Sequence, residues 1–215
     1  MRIMDATTGL KGLYVIVDPE HTDGRTPEDI TRAALSGGAT VIQLRDKISD
    51  KGPMLETATR ITELCNEAGA LHFMNDHADI AVLSGAHGLH VGQTDLPVSA
   101  ARRVLGDDQM IGTSNHAMQE ALVSISDAVD YVAVGAIYGT ATKEVTVSAG
   151  LETLGEIRAR IDSPIAAIGG INASNIRPVI EAGAEMACVI TAVCMAPDPE
   201  AASRELVRLI EQSRA

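Results

Sequence analysis

The sequence predicts an α/β protein, a (β/α)8 (TIM) barrel built as one compact domain over residues 1–215. Three observations predict it. A short apolar run rich in β-branched residues is followed by a polar turn and then by an amphipathic segment of Ala, Leu, Glu and Arg. That pattern recurs eight times in 215 residues, the size of a small barrel. Helix start and stop signals fall between the runs.

The predicted strands are 12–17, 40–44, 71–74, 88–91, 110–112, 131–134, 165–168 and 187–190. The helices between them start near Thr26, Pro53, His77, Pro97, His116, Leu151, Ser174 and Pro199. Thr26-Pro27 and Asp198-Pro199 each place a capping side chain before a proline, and Asn172-Ala173-Ser174 offers another cap. Gly37-Gly38-Ala39, Gly69-Ala70, Gly85-Ala86 and Gly183-Ala184 end helices, with glycine supplying the left-handed cap. An open doubly wound sheet would use fewer strands and a glycine-rich first turn. Here that turn reads Asp18-Pro19-Glu20, which cradles no phosphate. No linker or low-complexity tract suggests a second domain.

Bulk composition excludes several classes of function. Net charge is −12, from 29 acidic and 17 basic residues. A nucleic-acid groove or an anionic membrane surface needs a positive field, so neither is expected as a partner. Aromatic residues are 2% with no Trp, which leaves little for base stacking. Cys65, Cys188 and Cys194 are odd in number and lack zinc-ligand spacing, so reduced thiols in a cytoplasmic protein are expected. Met1-Arg2-Ile3-Met4-Asp5 opens no long apolar run, so no signal peptide is expected. No run approaches membrane-spanning length.

Barrel sites lie at the C-terminal ends of the strands. The segment Val41-Ile42-Gln43-Leu44-Arg45-Asp46-Lys47 is the most informative. Extended chain would place Gln43, Arg45 and Lys47 on one face and Ile42 and Leu44 on the other. An Arg fork and a Lys point charge together suit a multiply charged anion. Later strands are followed by Asn75-Asp76, Gly92-Gln93-Thr94-Asp95, Ser114-Asn115-His116, Thr140-Ala141-Thr142-Lys143, Gly169-Gly170 and Thr191-Ala192. Asp76 and Asp95 follow neighbouring strands and could share one hard cation, although Asp76 could equally cap the next helix. Gly169-Gly170 and Thr191 sit where barrels often bind phosphate, although Gly-Gly alone also makes tight turns. The polar stretch from Thr140 reads as a lid that brings Lys143 over a phosphate. His87 and His90 are three apart and so face opposite sides of a strand. That argues against a histidine metal site and makes His90 a hydrogen-bonded histidine of the interior.

These motifs, together with His90-Val91-Gly92, Gly112-Thr113-Ser114, Ile168-Gly169-Gly170-Ile171 and Val189-Ile190-Thr191, fall in register with one family. From Gly12 to about Leu209 the chain resembles thiamine-phosphate synthase, a transferase. The resemblance implies that Gln43, Arg45, Lys47, Asn75, Ser114 and Lys143 hold hydroxymethylpyrimidine diphosphate, with Arg45, Lys47, Ser114 and Lys143 acting in catalysis. It implies Asp76 and Asp95 as ligands of Mg2+. Thr140, Thr142, Gly169 or Gly170, Ile190 and Thr191 would form the thiazole phosphate pocket. The implied reaction is a dissociative substitution giving thiamine phosphate and diphosphate. The partners would be small-molecule substrates, with homo-oligomerisation left open. The chain departs from the family at Ala136 and Gly139, where Pro is usual, at Thr191 for Ser, and at Thr94 for an acidic residue. Alternative readings are a thiazole tautomerase-like isomerase and a non-catalytic thiazole-phosphate sensor. Both would dispense with the diphosphate site.

Overall fold

A computed structural model of the chain describes residues 9–106, 108–139 and 149–214. Eight parallel strands close into a barrel in chain order. They are β1 Gly12–Val17, β2 Val41–Leu44, β3 Leu71–Asn75, β4 Gly88–Val91, β5 Met110–Asn115, β6 Tyr131–Val134, β7 Ile165–Ile168 and β8 Met186–Val189. Closure is made by β8 against β1, with Gly12 opposite Met186 and Val15 opposite Val189. The prediction of a (β/α)8 barrel holds. The main boundary difference is β5, which runs on to Asn115 and so carries Ser114 as a strand residue.

The helices outside the barrel are α1 Pro27–Ser36, α2 Lys51–Ala68, α3 Ala78–Leu83, α4 Val98–Arg102, α5 Met118–Ser126, α6 Gly150–Arg158, α7 Ile176–Glu181, α8 Thr191–Cys194 and α9 Pro199–Gln212. Thr26 and Asp198 cap α1 and α9 as expected, accepting from Asp29 N and Ala201 N. Asn172 does not cap α7. Its Oδ1 accepts from Ser174 N in a local turn, and the helix starts later, after Asn175. The four-residue α8 and a 3-10 turn at Pro19–His21 are too short to show periodicity in sequence.

Two apolar layers hold the barrel. Leu13, Val15, Val17, Ile42, Leu44, Val132 and Val134 point outward and pack under the helices. Tyr14, Ile16, Val41, Phe73, Met110, Tyr131, Ala166 and Met186 fill the interior. The interior pairs large with small residues across strands. A Cβ on Gly88 would lie 2.5 Å from Phe73 Cε1, and one on Gly112 would lie 2.0 Å from Tyr131 Cζ. Those two glycines are the space the rings occupy.

Candidate active site

A cavity of about 1010 Å3 opens at the C-terminal ends of the strands. Among the expected site residues, Arg45, Lys47, Asn75, Asp76, Asp95, Ser114, Gly169, Gly170, Ile190 and Thr191 line it. Thr140, Thr142 and Lys143 lie outside the described residues. Gln43 is not in the wall. It is 2% exposed, and its Nε2 donates to Tyr14 Oη at 2.6 Å.

The basic pair is positioned by carboxylates, not by strand alternation. β2 ends at Leu44, so Arg45 and Lys47 belong to the turn after it. Asp46 is buried and its Oδ1 accepts from Ile48 N and Ser49 N, which fixes that turn. Arg45 reaches Asp18, which is fully buried at the end of β1, with Nη1 to Oδ2 at 2.5 Å. Asp18 Oδ1 also accepts from Glu20 N. Lys47 reaches Asp76 and donates to its Oδ2.

Asp76 takes a left-handed backbone conformation, φ 62°, just past β3. Asp tolerates that region better than most residues. Its backbone N–H donates to His90 O at 2.9 Å, tying it to β4. It does not cap α3. The cap position is His77, with no side-chain bond. Asp95 curls back so that Oδ2 accepts from Gly92 N at 2.8 Å. The two carboxyls lie close enough to shift one another's titration. Burial and then the Asp95 carboxyl raise Asp76 above the usual carboxylate range, against the pull of Lys47. Burial also pushes Asp95 upward, but the Gly92 N–H, the contact with Asp76 and the charge of Lys47 outweigh it and leave Asp95 lowered. Two crowded carboxyls with hard oxygen donors are what a divalent cation would neutralise. Among the described residues no cluster of three or more His, Cys, Asp or Glu forms a self-sufficient metal cage. Two carboxyl side chains could supply only part of a hard cation's oxygen shell, with water or ligand oxygens supplying the rest.

The other arc of the rim comes from β7 and β8. Gly169 and Gly170 have φ of 109° and 62°. Close approach as well as conformation demands glycine. A Cβ on Gly169 would lie 2.6 Å from Ala136 Cβ, and one on Gly170 2.6 Å from Gly139 O. Tyr138 N donates to Gly169 O at 3.0 Å, and Asn175 Nδ2 to Gly170 O at 2.9 Å. Thr191 is exposed and opens the short α8. Backbone held open in this way can approach an anion closely.

Ser114 sits between the arcs, with His90 Nε2 2.8 Å from its Oγ. His90 faces inward as expected and is itself part of the cavity wall. Sequence reasoning missed Asp18, the two interior tyrosines and Cys188, which also lines the cavity. Asp18 was findable from its place after β1, the criterion that found the others. The tyrosines read as ordinary core residues of apolar strands. Burial pushes the Cys188 thiol far above its usual range, so it is no nucleophile.

Comparison with known proteins gives one consistent result. The sequence pattern of the family described as "Thiamine monophosphate synthase" matches residues 13–193. A thiamine-phosphate synthase of Shouchella clausii is 41% identical over 202 residues, covering 94% of this chain and 97% of the relative. One from Moorella thermoacetica is 42% identical over 203 residues, covering 94% and 97%. The solved thiamine phosphate pyrophosphorylase of Pyrococcus furiosus superposes with a TM-score of 0.90 at 33% identity, covering 98% of this chain and 100% of that one. Orotidine 5'-phosphate decarboxylase of Pyrococcus horikoshii, TM-score 0.67 at 16% identity, shares the fold alone.

Proposed function

Since the chain belongs to the thiamine monophosphate synthase family and is a transferase, we propose that it joins hydroxymethylpyrimidine diphosphate to a thiazole phosphate, releasing diphosphate and forming thiamine phosphate. The observation that supports this reading is one cavity with two separate arcs suited to anions. Arg45 and Lys47 stand beside Asp76 and Asp95 on the β2–β4 arc, and Gly169, Gly170 and Thr191 stand on the β7–β8 arc. A diphosphate needs the first and a monophosphate the second. A tautomerase or a sensor of thiazole phosphate would need only the second.

Asp76 and Asp95 would hold Mg2+, which would supply positive charge to stabilise a departing diphosphate. Arg45, locked by Asp18, presents fixed donors to the same oxygens, at no reorganisation cost during reaction. Lys47 donates from the other side of its turn. Lys143 is assigned to this group from the sequence. Asn75 is 7% exposed at the end of β3 and faces the same space. Departure of diphosphate leaves a pyrimidine-methyl cation, which the thiazole nitrogen traps. No protein nucleophile is needed, and burial keeps Cys65 and Cys194 inert by pushing both thiols up to about 12.

A coupled assay tests this. Purified protein with both substrates is scored for thiamine phosphate with and without Mg2+. Metal-dependent product that disappears with Asp95→Ala or Lys143→Ala is expected. Folded wild-type protein that yields none at saturating substrate overturns the reading.

A further inference from the structure

The barrel interior contains a continuous hydrogen-bond chain that the chemistry above does not use. Gln43 Nε2 donates to Tyr14 Oη at 2.6 Å. Tyr14 Oη lies 2.9 Å from Tyr131 Oη. Tyr131 Oη lies 2.7 Å from His90 Nδ1, and His90 Nε2 lies 2.8 Å from Ser114 Oγ. One end is an amide enclosed beneath the cavity, and the other is a hydroxyl in its wall. Packing holds the geometry. The His90 and Tyr131 rings stack with centroids 5.6 Å apart, and Phe73 meets Tyr131 edge-on at 5.2 Å.

Direction at one end of such a chain dictates direction at the other, because each hydroxyl has a single proton. Tyr14 accepts from Gln43, and Tyr131 Oη is the partner at hand for its own proton. Tyr131 then gives its proton to His90 Nδ1. An imidazole that accepts at Nδ1 is neutral and carries its proton on Nε2, where it donates to Ser114 Oγ. The remaining proton is that of Ser114, directed at the cavity.

We infer that Gln43, Tyr14, Tyr131 and His90 are positioning residues, a one-way relay that fixes Ser114 as a hydrogen-bond donor to the ligand. The ligand group it fits is an acceptor, which on the synthase reading is an unprotonated ring nitrogen of the pyrimidine. The ligand's identity rests on that reading, whereas the relay itself does not. Run in the opposite sense, the chain would take the Ser114 proton into His90 and leave only lone pairs facing another lone pair. Gln43 thereby acts on Ser114 from below, through Tyr14.

Two measurements decide the matter separately. Nitrogen-15 NMR of histidine-labelled, ligand-free protein at mildly alkaline pH reads the His90 tautomer. The expected wild-type result is a bare Nδ1 and a protonated Nε2, with the two tautomers interconverting in Tyr131→Phe. Gln43→Met breaks the far end and supplies the same comparison should Tyr131→Phe fold poorly. A proton on Nδ1 in the wild type, alone or alongside one on Nε2, overturns the relay whether or not the protein makes thiamine phosphate. In steady-state kinetics, Tyr131→Phe should raise KM for the pyrimidine diphosphate on the order of tenfold, the value of one hydrogen bond. KM for thiazole phosphate and kcat should stay within about twofold. Equal losses toward both substrates would make Tyr131 merely structural and sink the inference. Absence of wild-type turnover would defeat the synthase reading, while the tautomer read by NMR would still decide the relay.

Discussion

Asp18→Asn isolates the contact that most directly prepares the anion site. Asp18 is fully buried, and the Arg45 side chain is only 16% exposed, so solvent screens the pair weakly. At the observed 2.5 Å and an effective dielectric constant of about 20, two unit charges attract by about 7 kcal/mol. Desolvating both ions offsets much of that. Removing one partner of a buried pair nonetheless costs about 3–5 kcal/mol, since the other charge remains buried and unpaired. Asn keeps the Oδ1 bond from Glu20 N, so the 3-10 turn should survive. Urea unfolding of wild type, Asp18→Asn, Arg45→Met and the double variant forms a thermodynamic cycle. The double variant should be less destabilised than the sum of the singles by about 2 kcal/mol or more, because neither charge is then stranded. Asp18→Asn should also raise KM for the pyrimidine diphosphate, as Arg45 is no longer held. Additivity within about 0.5 kcal/mol, with KM unchanged, would refute the claim that Asp18 positions Arg45.

Three further outcomes are expected. Burial, and secondarily the nearby His87, push His72 down to about 3, and its Nε2 has no partner among the described residues. The unfolded chain therefore binds a proton below about pH 6.5 that the folded one refuses, and stability falls with decreasing pH from there toward pH 3 by up to about 1.4 kcal/mol per unit. Denaturant titrations across this range should show a shallower acid limb in His72→Gln, and an identical limb would exclude His72 as a cause. Gly169→Ala forces both a left-handed residue and a 2.6 Å contact with Ala136 Cβ, so it should lower stability by about 1–3 kcal/mol and weaken phosphate binding. Calorimetry with inorganic phosphate and a thermal melt check both, and a variant indistinguishable from wild type in the two would show that this approach is not tight. Asp95→Asn keeps an acceptor for Gly92 N but removes a charge, so half-saturation by Mg2+ should move upward at least tenfold in the coupled assay. An unchanged metal requirement would place the ion elsewhere.

Local signals are enough to specify the barrel. Eight apolar runs, proline-led starts such as Thr26-Pro27 and glycine stops such as Gly69-Ala70 are local signals, because capping and periodicity act within a few residues. The sequence also marks most of the cavity wall, since a barrel collects its site from the residues just past each strand. How those residues are held emerges only when the barrel closes. Arg45 and Lys47 share a turn, not a strand face, and each is placed by a carboxylate from a different neighbouring strand. Asp18 and Arg45 are 27 residues apart, and Tyr14 and Tyr131 are 117 apart. No local pattern encodes such pairings. They arise when closing the barrel takes polar groups out of water and leaves each to find a partner across the interior. Gln43 shows the difference. Its type and place point to a ligand contact, and only the closed barrel adds that it is buried and donates to Tyr14.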